Sequence, residues 1–243
     1  MTVMRIPTAK TVVAVFDLDR TLTRAGTFNG FLRGYVARRP VLWPCVLPAL
    51  WIGASYAAGR LDRRAAKVRL LKLFFAGAGD LSDEADAFAA RTVASGLRAA
   101  AGEALERHRQ AGHAVVLATA CMDFLARPIA RRLGIGAVVA TRSPRDRYAD
   151  IEGEDCYGHE KLIRVAEALP TLRKECFVIA YSDHPSDAPL LTWADVGIAV
   201  NPRAGFKRQA GRMGIEVVDW NATPAPTGER GIARNQLEES FAQ

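Results

Sequence analysis

Two hydrophobic periods divide the chain. Short, continuously apolar runs rich in β-branched residues recur at 11–15, 114–118, 137–140, 176–180, 196–200 and 215–218. Runs of this length predict strands buried on both faces, as in a parallel sheet. Helical patterns lie between the later runs: 124–133, closed by Gly134; 160–169, stopped by Pro170; and 205–213. Strand–helix alternation of this kind predicts an α/β fold with a doubly wound parallel sheet.

The region between the first and second strands breaks the alternation. From about residue 27 to 111 the apolar positions follow helical spacing in segments 28–38, 41–59, 61–75, 81–95 and 97–111. Segment 81–95 opens with Ser82, Asp83, Glu84 and Asp86, acids suited to a helix N-terminus. Gly112 ends the last segment. We therefore expect an α/β core at 1–23 and 112–220 and an all-helical cap inserted at 24–111. Residues 142–158 read as polar and irregular, with room for a small hairpin. The tail 221–243 reads as a mobile extension.

Composition matches an ordinary globular protein, with 49% hydrophobic and 24% charged residues among 243. Cys45, Cys121, Cys156 and Cys176 form no CxxC pair. Their scatter points to reduced thiols in a cytoplasmic protein, not to a disulfide frame or a zinc site. Residues 1–10 lack the apolar core of a signal peptide. Net charge is +7 and unevenly placed: residues 24–72 carry ten basic side chains against one acid, Asp62. That excess is either a set of solvated helix faces or a surface for an anionic partner. No nucleic-acid motif accompanies it, so nucleic acid is not expected.

The chemistry gathers at strand ends. Asp17 and Asp19 follow the first strand, Thr119 ends the second, Lys161 opens a later helix, and Ser182, Asp183 and Asp187 follow the strand 176–180. In open α/β sheets ligands bind at that edge. Like charges that close require an offset, most often a divalent cation. Carboxylates, a hydroxyl and an ammonium are also the parts that phosphoryl transfer through an aspartyl-phosphate needs. Taken singly, an Asp-x-Asp is a turn or helix cap, Thr119 a capping hydroxyl and Lys161 a solvated helix charge; the joint order carries the inference.

These motifs, Asp17-Leu18-Asp19-Arg20-Thr21, Thr119, Lys161 and Ser182-Asp183-His184-Pro185-Ser186-Asp187, resemble the haloacid dehalogenase superfamily, and within it the phosphoserine-phosphatase-like subfamily. The resemblance implies a Mg-dependent phosphomonoester phosphatase. Asp17 would be the nucleophile and Asp19 the general acid and base. Thr119 and Lys161 would bind the transferring phosphoryl group. Mg2+ would be held by Asp17, the Asp19 carbonyl and Asp183, with Asp187 in support. Arg24, Arg33, Ala120 and Ser182 are candidate substrate-binding residues. Arg20 stands where many members have Gly and is expected at the surface. His184 is expected beside the metal loop without ligating.

The cap should choose the substrate. Residues 41–59 carry no charge and are flanked by Arg38, Arg39, Arg60, Arg63 and Arg64. The segment approaches the roughly 20 residues that span a bilayer, but Pro44 and Pro48 suit a helix interior poorly and both flanks are positive. An interfacial or re-entrant apolar hairpin on the cytoplasmic face of an acidic inner membrane is one reading, with Trp43, Trp51 and Tyr56 at headgroup level. A buried cap core is the other. The cap and the run from Cys156 to Lys161 are similar to the phosphatidylglycerophosphatase C group, which implies a lipid phosphate such as phosphatidylglycerophosphate and a role in phospholipid metabolism. The alternative is a soluble phosphatase of a small metabolite such as phosphoserine.

Overall fold

The computed structural model describes residues 10–144 and 148–221; the expected tail at 221–243 lies outside them but for Asn221. Six parallel strands form one sheet: β1 (Thr11–Phe16), β2 (Ala114–Met122), β3 (Ala137–Thr141), β4 (Cys176–Ser182), β5 (Val196–Val200) and β6 (Glu216–Val218). Their order is β3-β2-β1-β4-β5-β6. β1 runs between β2 and β4, with Val15 opposite Val116 on one side and Phe16 opposite Tyr181 on the other. The chain order reverses between β1 and β4, the topological switch point at which such sheets bind ligands.

Alternation along each strand sends side chains to two cores. Ala14, Phe16, Leu117, Ile179 and Tyr181 join one, against α5 (Ala99–Gln110) and α6 (Asp123–Arg132); Val13, Val15, Val116, Val178 and Ala180 join the other, against α7 (His159–Glu167), α8 (Ala188–Trp193) and α9 (Ala204–Arg212). Burying both faces is what makes the strand sequences continuously apolar. α8 is a six-residue helix that hydrophobic period alone did not reveal. It packs so closely on β5 that a Cβ at Gly197 would fall 2.2 Å from the Leu191 carbonyl oxygen.

The insertion after β1 contains α1 (Thr27–Ala37), α2 (Val46–Ala57), α3 (Arg63–Phe75) and α4 (Ser82–Arg91). Aromatic packing of Phe31 with Tyr35, Phe75 and Phe88 ties α1, α3 and α4 together. α5, which the sequence pattern grouped with these helices, packs on the sheet instead. Its His108 Nε2 lies 2.9 Å from Tyr181 Oη, and Tyr181 stacks on Phe16. Residues 142–158 hold one antiparallel bridge, Arg142 to Glu152, and 145–147 lie outside the described residues.

The apolar segment 41–59 is neither a hairpin nor a buried core. A 3-10 turn covers Pro40–Cys45 and α2 follows. Pro44 has no N–H to donate, and the regular helix starts only beyond it. Pro40–Ala57 is long and apolar enough to cross a membrane by length and composition, yet 11% of it is buried. Ile52 and Ser55 face inward, while Val41, Trp43, Leu47, Leu50 and Trp51 lie at 59–81% exposure.

Candidate active site

The chain leaves β1 at Asp17 and turns through residues 18–22, where Arg20 takes φ +64°. A side chain in that left-handed region costs roughly 1–2 kcal/mol. The turn returns Thr21 beneath Asp17. Thr21 Oγ1 donates to Asp17 Oδ2 (3.0 Å) and accepts from the Asp183 N–H (3.0 Å), joining the ends of β1 and β4 across the switch point.

Asp17 is buried, and its Oδ1 accepts from Lys161 Nζ at 2.8 Å. Lys161 also donates to Asp187 Oδ2 at 2.6 Å, and Ser182 Oγ donates to the same oxygen at 2.6 Å. Lys161 reaches these acids because Gly158, at φ +59° and ψ −126°, turns the chain sharply into α7. Burial lifts the Asp17 carboxyl to about 7 against the pull of Lys161, with Asp187 adding to the rise. Burial opposes the charge on Lys161, but Asp17 and Asp187 outweigh it and hold the ammonium above its ordinary range.

Asp19 faces the cap. Its Oδ1 accepts from both the N–H and the hydroxyl of Thr27 at 2.7 Å, where α1 begins. Its Oδ2 takes no hydrogen bond among the described residues. Thr119 is buried, and its Oγ1 accepts from the Cys121 N–H at 3.0 Å. These groups open onto a cavity of about 450 Å³ roofed by the cap. Its walls include Asp17, Asp19, Thr119, Ala120, Lys161, Asp183 and Asp187 from the core, and Phe28, Gly53, Tyr56, Arg63, Lys67 and Leu70 from the cap. A second cavity of about 730 Å³, between α4 and α6, is lined by none of the predicted site residues.

Of the remaining predicted residues, Ser182 is fully buried behind the cavity, bound to Asp187. Arg24 and Arg33 are exposed and do not line the cavity. Arg24 sits before α1 begins, and Arg33 lies a full turn beyond Asn29, about 6 Å further along the helix axis. Arg20, expected at the surface, is exposed but borders the cavity mouth, as does His184. Thr21, Thr27 and Lys67 were missed. Helical spacing puts Lys67 on one face with Leu71 and Phe74, four and seven positions on, but only the structure shows that this face is the buried one.

Asp183 tests whether the site suits a cation. Its carboxylate is half-buried at the cavity and takes no hydrogen bond or ion pair among the described residues; burial raises it to about 6. An orphaned acid beside Asp17 suits a hard cation with oxygen ligands. Among the described residues no three His, Cys, Asp or Glu side chains form a cage. Two carboxylates and a carbonyl, completed by water, are a set that Mg2+ accepts and a dedicated cage is not.

A lysine-bridged acid cluster at the switch point of a parallel sheet, roofed by inserted helices, defines a capped α/β enzyme. The haloacid dehalogenase-like hydrolase model matches residues 14–192. Protein CicA of Caulobacter vibrioides is 31% identical over 191 residues, covering 76% of this chain and 83% of CicA. Phosphoserine phosphatase SerB1 of Mycobacterium tuberculosis is 30% identical over 234 residues, covering 88% of this chain and 72% of SerB1. A crystal structure of a Bordetella pertussis protein of unknown function superposes with a TM-score of 0.78 at 27% identity, covering 87% of this chain and 99% of that one. The chain belongs to the haloacid dehalogenase-like hydrolases, as a member of the phosphatase type.

Proposed function

We propose that this protein hydrolyses phosphomonoesters through a covalent intermediate on Asp17. The observation that carries the reading is the pairing of Asp17 with Lys161 and Thr21 at the floor of the capped cavity, with Asp19 two residues on. A carboxylate oxygen of Asp17 attacks phosphorus as the ester P–O bond breaks. The leaving oxygen takes its proton from Asp19, whose Oδ1 is anchored on Thr27 while Oδ2 stays available. Asp19 then accepts a proton from water, which attacks phosphorus; the bond to Asp17 breaks and phosphate leaves. Lys161 and Thr119 stabilise charge on the phosphoryl oxygens, groups whose loss typically costs about 2.7–4 kcal/mol in the barrier.

Asp17, the Asp19 carbonyl and Asp183 would hold Mg2+, with Asp187 keeping Lys161 in place. When bound, that cation offsets the repulsion between a carboxylate and a phosphate dianion. The expected result is Mg-dependent release of phosphate from an aryl phosphate, absent in Asp17→Asn. Equal release by that variant would overturn the reading.

For the substrate, the exposed apolar face of α2 supports a lipid phosphate, such as phosphatidylglycerophosphate, taken from an acidic membrane surface. Gly53 and Tyr56 of the same helix line the cavity, so a headgroup beside that face lies near the site. Alignment with SerB1 over most of the chain favours a second reading, phosphoserine or a similar small phosphomonoester. A panel with both substrates separates them. Co-sedimentation with acidic vesicles that weakens with salt is expected for the first; protein left in the supernatant at low salt would favour the second.

A further inference from the structure

Lys67 is a second buried lysine, and no step above uses it. It lies in the middle of α3, and its side chain is 10% exposed. Its ammonium donates to the Ala120 carbonyl at 2.5 Å, to Asp155 Oδ1 at 2.7 Å and to Thr141 Oγ1 at 3.2 Å. Three acceptors match the three protons of an ammonium. They come from three parts of the core: the end of β2 one residue after Thr119, the end of β3, and the loop that runs through Tyr157 to Gly158 and Lys161.

The rest of α3 grips the same loop. Arg63 Nε donates to Asp155 Oδ2 at 2.8 Å, and its guanidinium lies 4.1 Å over the Tyr157 ring. Arg64 Nη2 donates to the Gly153 carbonyl at 2.9 Å. Asp155 is therefore bound by two cations from one cap helix, and both depart together if that helix lifts. Burying such a pair costs several kcal/mol per ion in desolvation, and apolar packing would serve cohesion at least as well. Its location beside Thr119 and upstream of Lys161 gives it a use that an apolar seam lacks.

We propose that Lys67 is a positioning residue that couples the seating of the cap to the assembly of the active site. Seated, its ammonium holds the Ala120 carbonyl, and with it the end of β2 that carries Thr119. Through Asp155 it also holds the loop that delivers Lys161. The kinetic consequence rests on the phosphatase reading; the structural coupling does not.

Hydrogen exchange and kinetics on the full-length protein test it. Lys67→Met keeps the length of the side chain and removes the charge. Exchange is expected to rise about tenfold or more in α3 and also in the core segments 119–122 and 153–161. With Mg2+ and an aryl phosphate, kcat should fall at least tenfold while KM stays within about threefold. A rise confined to α3, or kcat within twofold of wild type, would reduce Lys67 to cohesion and overturn the proposal. If Lys67→Met does not fold, Asp155→Asn reads the same segments, with the same pattern expected at smaller amplitude. A wild-type protein without phosphatase activity would remove the phosphatase reading, and exchange at 119–122 and 153–161 would still decide the coupling.

Discussion

Lys161 and Lys67 are both buried and both bound to carboxylates, but they belong to regions built on opposite plans. Around Lys161 every partner, Asp17 and Asp187, comes from the α/β core, and each sits at the end of a strand or in the loop after one. Around Lys67 the cation comes from the cap and every acceptor from the core. The first cluster exists whenever the sheet is folded. The second exists only while the cap is seated. On the two proposals above, a buried charge does two jobs here: one cluster serves the chemistry, the other ties it to the seating of the cap.

The largest effect that bears on this contrast is loss of the core lysine. Lys161→Met leaves Asp17 and Asp187 buried without their cation, and breaking a buried pair from one side costs about 3–5 kcal/mol. Urea unfolding should show that loss, and kcat should fall by about a hundredfold or more. A stability change under about 1 kcal/mol would mean that the core cluster is not a closed unit. Next comes the turn that delivers Lys161. Gly158→Ala places a side chain at φ +59° and ψ −126°, a region essentially reserved for glycine, at a cost of about 1–3 kcal/mol. The displaced Lys161 should lower kcat, measured beside thermal unfolding, while hydrogen exchange in α3 stays at its wild-type rate.

A pH series tests the acids themselves. Burial lifts Asp17 to about 7 and Asp183 to about 6, so the folded protein keeps protons that the unfolded chain gives up near 3.8. Without metal, these two groups therefore make stability fall as pH rises from about 4 to 7. A cation needs both carboxylates ionised. Mg2+ should accordingly raise the melting temperature more at pH 7.5 than at pH 5, and an equal shift at both would place the cation elsewhere. The smallest stability effect belongs to the outer face of the cap. Trp51→Ser and Leu47→Ser remove exposed side chains, so stability should stay within about 0.5 kcal/mol while binding to acidic vesicles drops. Unchanged vesicle binding would leave α2 without a membrane role.

Much of the core was legible in the residue pattern because its information is local. A strand buried on both faces must be continuously apolar, and a residue placed just after it must lie at the ligand edge of the sheet. Asp17, Asp19, Thr119 and Asp183 follow from position along such runs, Lys161 from its place at a helix start in the order of the motifs, and the structure brings all five to one cavity. The cap offered less. Basic side chains in 24–72 looked alike in sequence, yet Arg24 and Arg33 are exposed away from the cavity, Arg63 stacks on Tyr157, and Lys67 is buried in the seam. Helical spacing told which positions share a face but not which face meets the core.

What the sequence by itself determined is the sheet, its strand ends and the acids they carry, because each depends on residues within one short run. Only the tertiary structure decided that α5 packs on the sheet, that α2 keeps its apolar face outward, and that Lys67 closes on Asp155 across 88 residues of chain. Those outcomes turn on which of several compatible surfaces pack together, and that choice is made by burial and charge pairing between segments far apart in the chain.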